Sequence, residues 1–285
     1  MIIMTNNQWN RDANSEQWLA RGEDCSADAR MPGLIRAYTE VLPDVLGLQE
    51  VSAYQSVLMR RCFGSVALPD GSTAEYGYIS GGYTPLFYRS DRLKLVESGF
   101  FSYPSGYASF PGNFNDAGSK TCNYGVFVER DTGNTVAVMT THLWWRSGDP
   151  ASGSYRPGSD GARAYQMSIA CERMEKVIRR YDCPALLMGD FNAVITSPAL
   201  RTAAGYGWAD AHDVATGFAD GTRGHHPCSP SGWRRDAGGR FEQAIDHILI
   251  KNPGRAEITF MKRKTDEYFD RLSDHYPLYI ELRFN

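Results

Sequence analysis

The sequence predicts an α/β protein with more than one β-sheet, and three observations carry that expectation. Short apolar stretches of strand character recur along all 285 residues, few helical stripes lie between them, and several stretches end in a polar or titratable group. That last feature is where open α/β architectures build their sites. No repeat, low-complexity tract or Pro/Ser linker divides the chain, so a single domain spanning residues 1–285 is expected.

The strand-like stretches, in order, are Ile2–Thr5, Val45–Gln49, Glu75–Ser80, Pro85–Tyr88, Leu93–Tyr103, Tyr124–Glu129, Thr135–Leu143, Ala185–Met188, Ile245–Ile250, Ala256–Met261 and Pro277–Arg283. Helices are expected over Leu34–Leu42, Ala53–Arg61 and Ala162–Tyr181. In the last of these, Met167, Ala170, Cys171, Met174, Val177, Ile178 and Tyr181 recur at the spacing of one buried face, with Asp160 available as an N-cap. Such a helix lies on a sheet by one side. The segments Arg146–Ser159 and Ala215–Arg240 are rich in Gly, Ser, Pro and Arg without periodicity, and long loops of that kind are candidate walls of a site.

Composition narrows the function classes. Apolar residues make up 42% and charged residues 22%, which excludes disorder, collagen and coiled coil, and the length supports a core without disulfide or metal staples. The formal net charge of −3 gives no field that attracts a long polyanion, so any nucleic acid would need a local basic cleft. Six cysteines without a C-x-x-C pair read as free thiols of a reducing compartment. With no signal-peptide pattern and no run approaching the roughly 20 apolar residues of a membrane span, a cytoplasmic protein without membrane contact is expected.

Four strings place chemistry at strand ends. In Leu46-Gly47-Leu48-Gln49-Glu50-Val51, alternation puts Leu46, Leu48 and Glu50 on one face, with a carboxylate last that needs a positive partner if buried. Thr140-Thr141-His142-Leu143 ends a second apolar strand. In Met188-Gly189-Asp190-Phe191-Asn192-Ala193, Gly189 permits close backbone approach while Asp190 and Asn192 can point the same way. The fourth is a pair, Ile245-Asp246-His247-Ile248 and Ser273-Asp274-His275-Tyr276-Pro277. Each alone admits a bland reading as a turn or a satisfied polar residue; their joint occurrence in this order does not.

Together these strings resemble the endonuclease/exonuclease/phosphatase superfamily, from Asn7 to His275. The resemblance implies a DNase I-like four-layer α/β sandwich, two packed mixed sheets flanked by helices. It also implies hydrolysis of phosphate esters by in-line attack of water. By resemblance, Glu50 and Asp274 hold a divalent cation, Mg²⁺ or Mn²⁺, whose preference for few hard oxygen ligands agrees. Asp190 orients or deprotonates the water with Asn192 beside it, Asp246 holds His275 in one tautomer, and His275 and His142 bind the scissile phosphate. Asn7 donates to a phosphate oxygen or supports Glu50, and Arg163, with Gln166 similar to a recurring pair after the histidine loop, is expected to bind substrate. The string Asn6-Asn7-Gln8-Trp9 departs from the family by placing Gln where an apolar residue usually follows the Asn.

Substrate is less legible. Trp144, two residues beyond His142, is expected on the same face and could stack on a flat group of the substrate; the alternative is that both Trp144 and Trp145 pack internally. Arg223, His225, His226, Arg234, Arg235 and Arg240 could grip further phosphates, or form a solvated loop balanced by Asp220, Asp236 and Glu242. His225 and His226 near Cys228 lack a fourth zinc ligand at normal spacing. The expected ligand is a phosphate ester, a small molecule or short nucleic acid, taken by a monomer with no protein partner. The alternative is a catalytically silent module that holds a phosphorylated ligand in the same cleft.

Overall fold

A computed structural model describes residues 1–20, 22–109, 111–219, 244–251 and 253–285. The elements follow as β1 (Ile2–Asn7), α1 (Glu16–Leu19), α2 (Ala27–Val41), β2 (Val45–Gln49), α3 (Ala53–Phe63), β3 (Ser65–Ala67), β4 (Thr73–Ile79), β5 (Leu86–Arg89) and β6 (Leu93–Ser102). The second half contributes β7 (Thr121–Glu129), β8 (Thr135–His142), α4 (Ser159–Tyr181), β9 (Ala185–Asp190), α5 (Pro198–Gly205), β10 (Ala209–Asp210), α6 (Ala211–Val214), β11 (Asp246–Lys251), β12 (Ala256–Arg263) and β13 (Leu278–Phe284).

The strands form two mixed sheets, one ordered β12-β13-β1-β2-β5-β4-β3 and the other β10-β11-β9-β8-β7-β6. Their inner faces meet through Ile3, Val45, Leu86, Leu278 and Ile280 on one side and Val136, Val138, Leu186, Met188 and Ile248 on the other. The outer face of the first sheet carries Met4, Leu46, Leu48 and Phe87 against Leu34 and Tyr38 of α2 and Met59 and Phe63 of α3. The outer face of the second carries Ala137, Met139 and Leu187 against Met167, Ala170, Cys171 and Met174 of α4 and Leu200 of α5. Four layers result, and the central strands read as continuous apolar runs because both of their faces are covered.

Helix starts differ from the sequence expectation. α2 begins at Ala27, seven residues before the expected Leu34, capped by the Ser26 hydroxyl, which accepts from the Ala29 amide; Pro32 lies inside the helix. Asp160 is not the cap of α4: that position is Gly158 at φ 81, and Asp160 pairs instead with Arg163 one turn on.

Directions fix where the site lies. β1 runs parallel to β2, and β8 parallel to β9, so all four end at one rim. β7, β11 and β13, antiparallel to β8, β9 and β1, begin there. The rim thus collects the residues after Gln49, His142 and Asp190, and those that open β7, β11 and β13.

Candidate active site

Sheet register sets His142, Asp190 and Asp246 side by side on three neighbouring strands, since His142 pairs with Asp190 and Asp190 with Asp246. Gly189 makes this row possible: at φ 140 a side chain is strained, and a Cβ would collide with the Thr141 carbonyl oxygen. Asp190 is buried and both its oxygens are held. Oδ2 accepts from Asn7 Nδ2 at 3.0 Å, and Oδ1 accepts from the Asn192 amide at 2.8 Å, an Asx turn with Asn192 at φ 49. Burial is the main reason the Asp190 pKa is raised, with Asp246 adding to it against the positive charges of His275 and Lys120.

The dyad expected of Asp246 and His275 is present, with Nδ1 and Oδ2 2.9 Å apart. His275 Nε2 faces Asp190 Oδ2 at 3.8 Å. Burial disfavours charge on His275, but Asp246, Asp190 and Asp274 outweigh it and hold its pKa well above the usual value. These carboxylates favour the protonated form of the ring.

His142 is different. It is buried, and desolvation, reinforced by the charges of Lys120 and His275, holds its pKa well below the usual value. Lys120 Nζ lies 2.8 Å from His142 Nε2, and Asn192 Nδ2 lies 3.1 Å from the same nitrogen, so two donors converge on it. Nζ also lies 3.3 Å from Nδ1, and Asp190 Oδ2 lies 3.4 Å from Nε2. The positive charge at this corner therefore belongs to Lys120, a residue absent from the sequence expectation. Its only signal is a lone charge entering an apolar strand, Ser119-Lys120-Thr121-Cys122, ahead of the expected strand start at Tyr124. Burial pushes the Lys120 pKa down to about 8, against the pull of Glu50 and Asp190.

Glu50, at φ 57 just past β2, accepts the Asn10 amide on Oε2 at 2.9 Å and lies 3.9 Å from His142 Nε2. Asp274 lines the same cleft, and burial followed by the charge of Glu50 raises its pKa while His275 lowers it. Two carboxylates that repel each other across an open polar cleft are a hard-oxygen donor set suited to a divalent cation with retained waters. Ligand atoms of Asp190, Asp246 and His275 also lie within 4.8 Å of one another. His275 Nδ1 is bonded to Asp246, and Asp190 accepts from Asn7 and Asn192. Glu50 and Asp274 both line the open cleft.

The cleft has a volume of about 430 Å³ and is lined by Asn10, Glu50, Tyr83, Ser119, Lys120, His142, Trp145, Asp190, Asn192, Asp274 and His275. Three expectations are corrected by it. Trp144 is fully buried against Phe114 and Ala162, its Nε1 donating to Ser159 Oγ at 3.0 Å; Trp145, 44% exposed, lines the cleft instead. Strand alternation ends with β8 at His142, so it does not carry over to residue 144. Arg163 is buried outside the cleft and donates to the carbonyls of Trp144, at 3.1 Å, and Arg146, holding the loop that presents Trp145. Gln166 braces the same loop by accepting from the Trp144 amide at 2.8 Å. Asn7 is buried beneath Asp190 and supports that residue, rather than Glu50 or a substrate. Arg223, His225, His226, Cys228, Arg234, Arg235 and Arg240 lie outside the described residues.

Comparison with known proteins gives no significant match among curated sequences. Solved structures are similar over the whole chain. A mannosyl-6-phosphatase of Bacteroides thetaiotaomicron VPI-5482 is 22% identical with a TM-score of 0.72, covering 100% of both chains. The human Nocturnin catalytic domain with bound sulfate is 17% identical with a TM-score of 0.61, over 100% of this chain and 94% of that one. TDP2 of D. rerio, complexed with a single-strand DNA product, is 15% identical with a TM-score of 0.62, over 99% and 98%. At these identities the likeness shows the DNase I-like fold. The model of the Endonuclease/Exonuclease/phosphatase family matches residues 17–275, nearly the full length, and the chain belongs to that family.

Proposed function

We propose that the chain is a divalent-metal-dependent hydrolase of phosphate esters, and that its substrate is a small ester with a single phosphate. The observation that carries the reaction class is Asp190: a buried carboxylate with raised pKa, fixed at both oxygens, between an imidazolium and a buried ammonium. Asp190 receives the proton of the attacking water, its pKa moved towards the range of an effective base. His275 donates from Nε2 to a phosphate oxygen as negative charge builds, held by Asp246 at Nδ1. Lys120 adds a second positive charge beside His142, whose ring also meets Asn192. Mg²⁺ or Mn²⁺ held by Glu50 and Asp274 would supply further neutralisation of the phosphate.

The substrate class rests on the walls. Besides the charged groups already assigned, the described lining is neutral and hydrogen-bonding or aromatic: Asn10, Tyr83, Ser119 and Trp145. A polyhydroxylated leaving group suits such walls, and similarity to a mannosyl-6-phosphatase points the same way. Trp145 equally offers a stacking face for a base, which keeps a short nucleic acid as the second reading.

The test is a panel of p-nitrophenyl phosphate, bis-p-nitrophenyl phosphate, hexose phosphates and short oligonucleotides with Mg²⁺ or Mn²⁺. Turnover of monoesters, abolished by EDTA and by Asp190→Ala, is expected. Turnover of oligonucleotides alone would overturn the substrate class, and none with any ester would favour the silent binding module.

A further inference from the structure

Arg30 of α2 is buried, and among the described residues no carboxylate pairs with it. Its guanidinium has five N–H donors, and all of them end on main-chain carbonyls. Nε donates to Cys25 at 2.9 Å, Nη1 to Gln8 at 2.6 Å and Leu272 at 2.7 Å, and Nη2 to Trp9 at 3.0 Å and Arg11 at 2.8 Å. Burial pulls its pKa down to about 10, with the charge of Asp274 the largest opposing influence. A buried cation bound only to neutral groups is costly to keep. The cost calls for a return.

Four of the five carbonyls, all but that of Cys25, belong to the two segments next to the cation-holding carboxylates. Trp9 and Arg11 flank Asn10, whose amide donates to Glu50 Oε2 at 2.9 Å. Leu272 precedes Asp274 by two residues, and between them Ser273 Oγ donates to the Asn7 carbonyl at 2.6 Å. Trp9 itself sits at φ 61, kept there by Arg30, by Gln55 Nε2 on its carbonyl at 2.9 Å and by Asn7 Oδ1 on its amide at 2.9 Å. Each carboxylate is one short stretch of fixed backbone from the guanidinium.

We infer that Arg30 is a positioning residue for the cation site: by fastening residues 8–11 to the segment entering Asp274, its planar fork sets Glu50 and Asp274 at a shared spacing. This rests on the reading of Glu50 and Asp274 as the cation-holding pair. A lysine in its place retains the charge but offers three donors from one point, too few for five carbonyls and wrongly arranged for any planar fork.

The experiment measures binding of Mn²⁺ alone by calorimetry to the wild type, Glu50→Gln and Arg30→Lys, with folding checked by circular dichroism. The wild type binds, Glu50→Gln loses affinity, and Arg30→Lys, folded, loses about 10- to 100-fold, the scale of outer-layer effects on metal sites. A folded Arg30→Lys with wild-type Mn²⁺ affinity overturns the inference. Wild-type and Glu50→Gln proteins that bind alike, or not at all, overturn the underlying assignment instead. A second measurement uses the unmutated protein: the Arg30 Nε–H resonance should shift on addition of Mg²⁺ in the wild type and stay in Glu50→Gln. An unmoved wild-type resonance, with Mg²⁺ bound, also overturns it.

Discussion

One imidazole joins two carboxylates: His275 lies 2.9 Å from Asp246 through Nδ1 and 3.8 Å from Asp190 through Nε2. If the ring works only when Asp246 orients and charges it, the two residues form one device. Asp246→Asn is then expected to lower kcat/KM by about 10²- to 10⁴-fold, His275→Ala by more, and the double variant little beyond His275→Ala. A double-mutant cycle checks this; strictly multiplicative losses would mean that Asp246 serves structure alone.

Lys120 should write the alkaline limb of the pH profile. Its pKa in the fold is about 8, so the ammonium that assists phosphate is lost as pH rises through that value, and kcat/KM should fall above it. Lys120→Arg should carry the limb upward, because a guanidinium keeps its charge there. For stability the sign is opposite: the folded pKa lies below the ordinary lysine value of 10.5, so the folded state becomes more stable as pH rises from about 8 towards 10.5. Chemical denaturation across that window reads it.

The two tryptophans should separate cleanly. Trp144→Ala empties a buried site and should cost about 3–5 kcal/mol of stability. Trp145→Ala should leave unfolding nearly unchanged while raising KM for the best ester, because Trp145 lines the cleft. Equal effects on stability and none on KM would remove Trp145 from substrate contact.

Gly189→Ala should be damaging without altering any functional group. The added methyl meets the Thr141 carbonyl at a φ that L-residues rarely adopt, and a loss of about 3 kcal/mol is expected from strain and overpacking together. Urea unfolding of the variant measures it, and a change below about 0.5 kcal/mol would show that β8 and β9 separate easily.

Much of the scaffold is legible in the sequence because the central strands are covered on both faces. Val45–Gln49 is read end to end, for its residues are all buried and all apolar or closely bonded. The short edges β3 and β10 carry too few residues to show a period, and Pro198 as the first residue of α5, behind the Ser197 cap, looks like a turn. The cleft residues Glu50, His142, Asp190, Asn192, Asp274 and His275, with Asp246 behind His275, stand out as polar groups ending or opening apolar strands, and the fold brings them to one rim. Lys120 hides because it sits just before β7, where a lone charge marks no strand start, and Trp145 because it lies past the end of β8, where alternation no longer sets which side a residue faces. Arg30 speaks only to carbonyls, and main-chain partners leave no pattern of side chains to read.

The place of β1 between β2 and β13 bears on synthesis. A ribosome delivers β1, β2 and Glu50 early, yet the strand that closes the other side of β1, and the dyad histidine just before it, emerge near the end. Until then β1 has an open edge and Asp190 lacks its imidazolium neighbour, so a nascent chain exposes a sheet edge but carries no complete hydrolytic apparatus. In refolding, recovered activity should lag behind recovered secondary structure, as it waits on the most distant pairing in the chain.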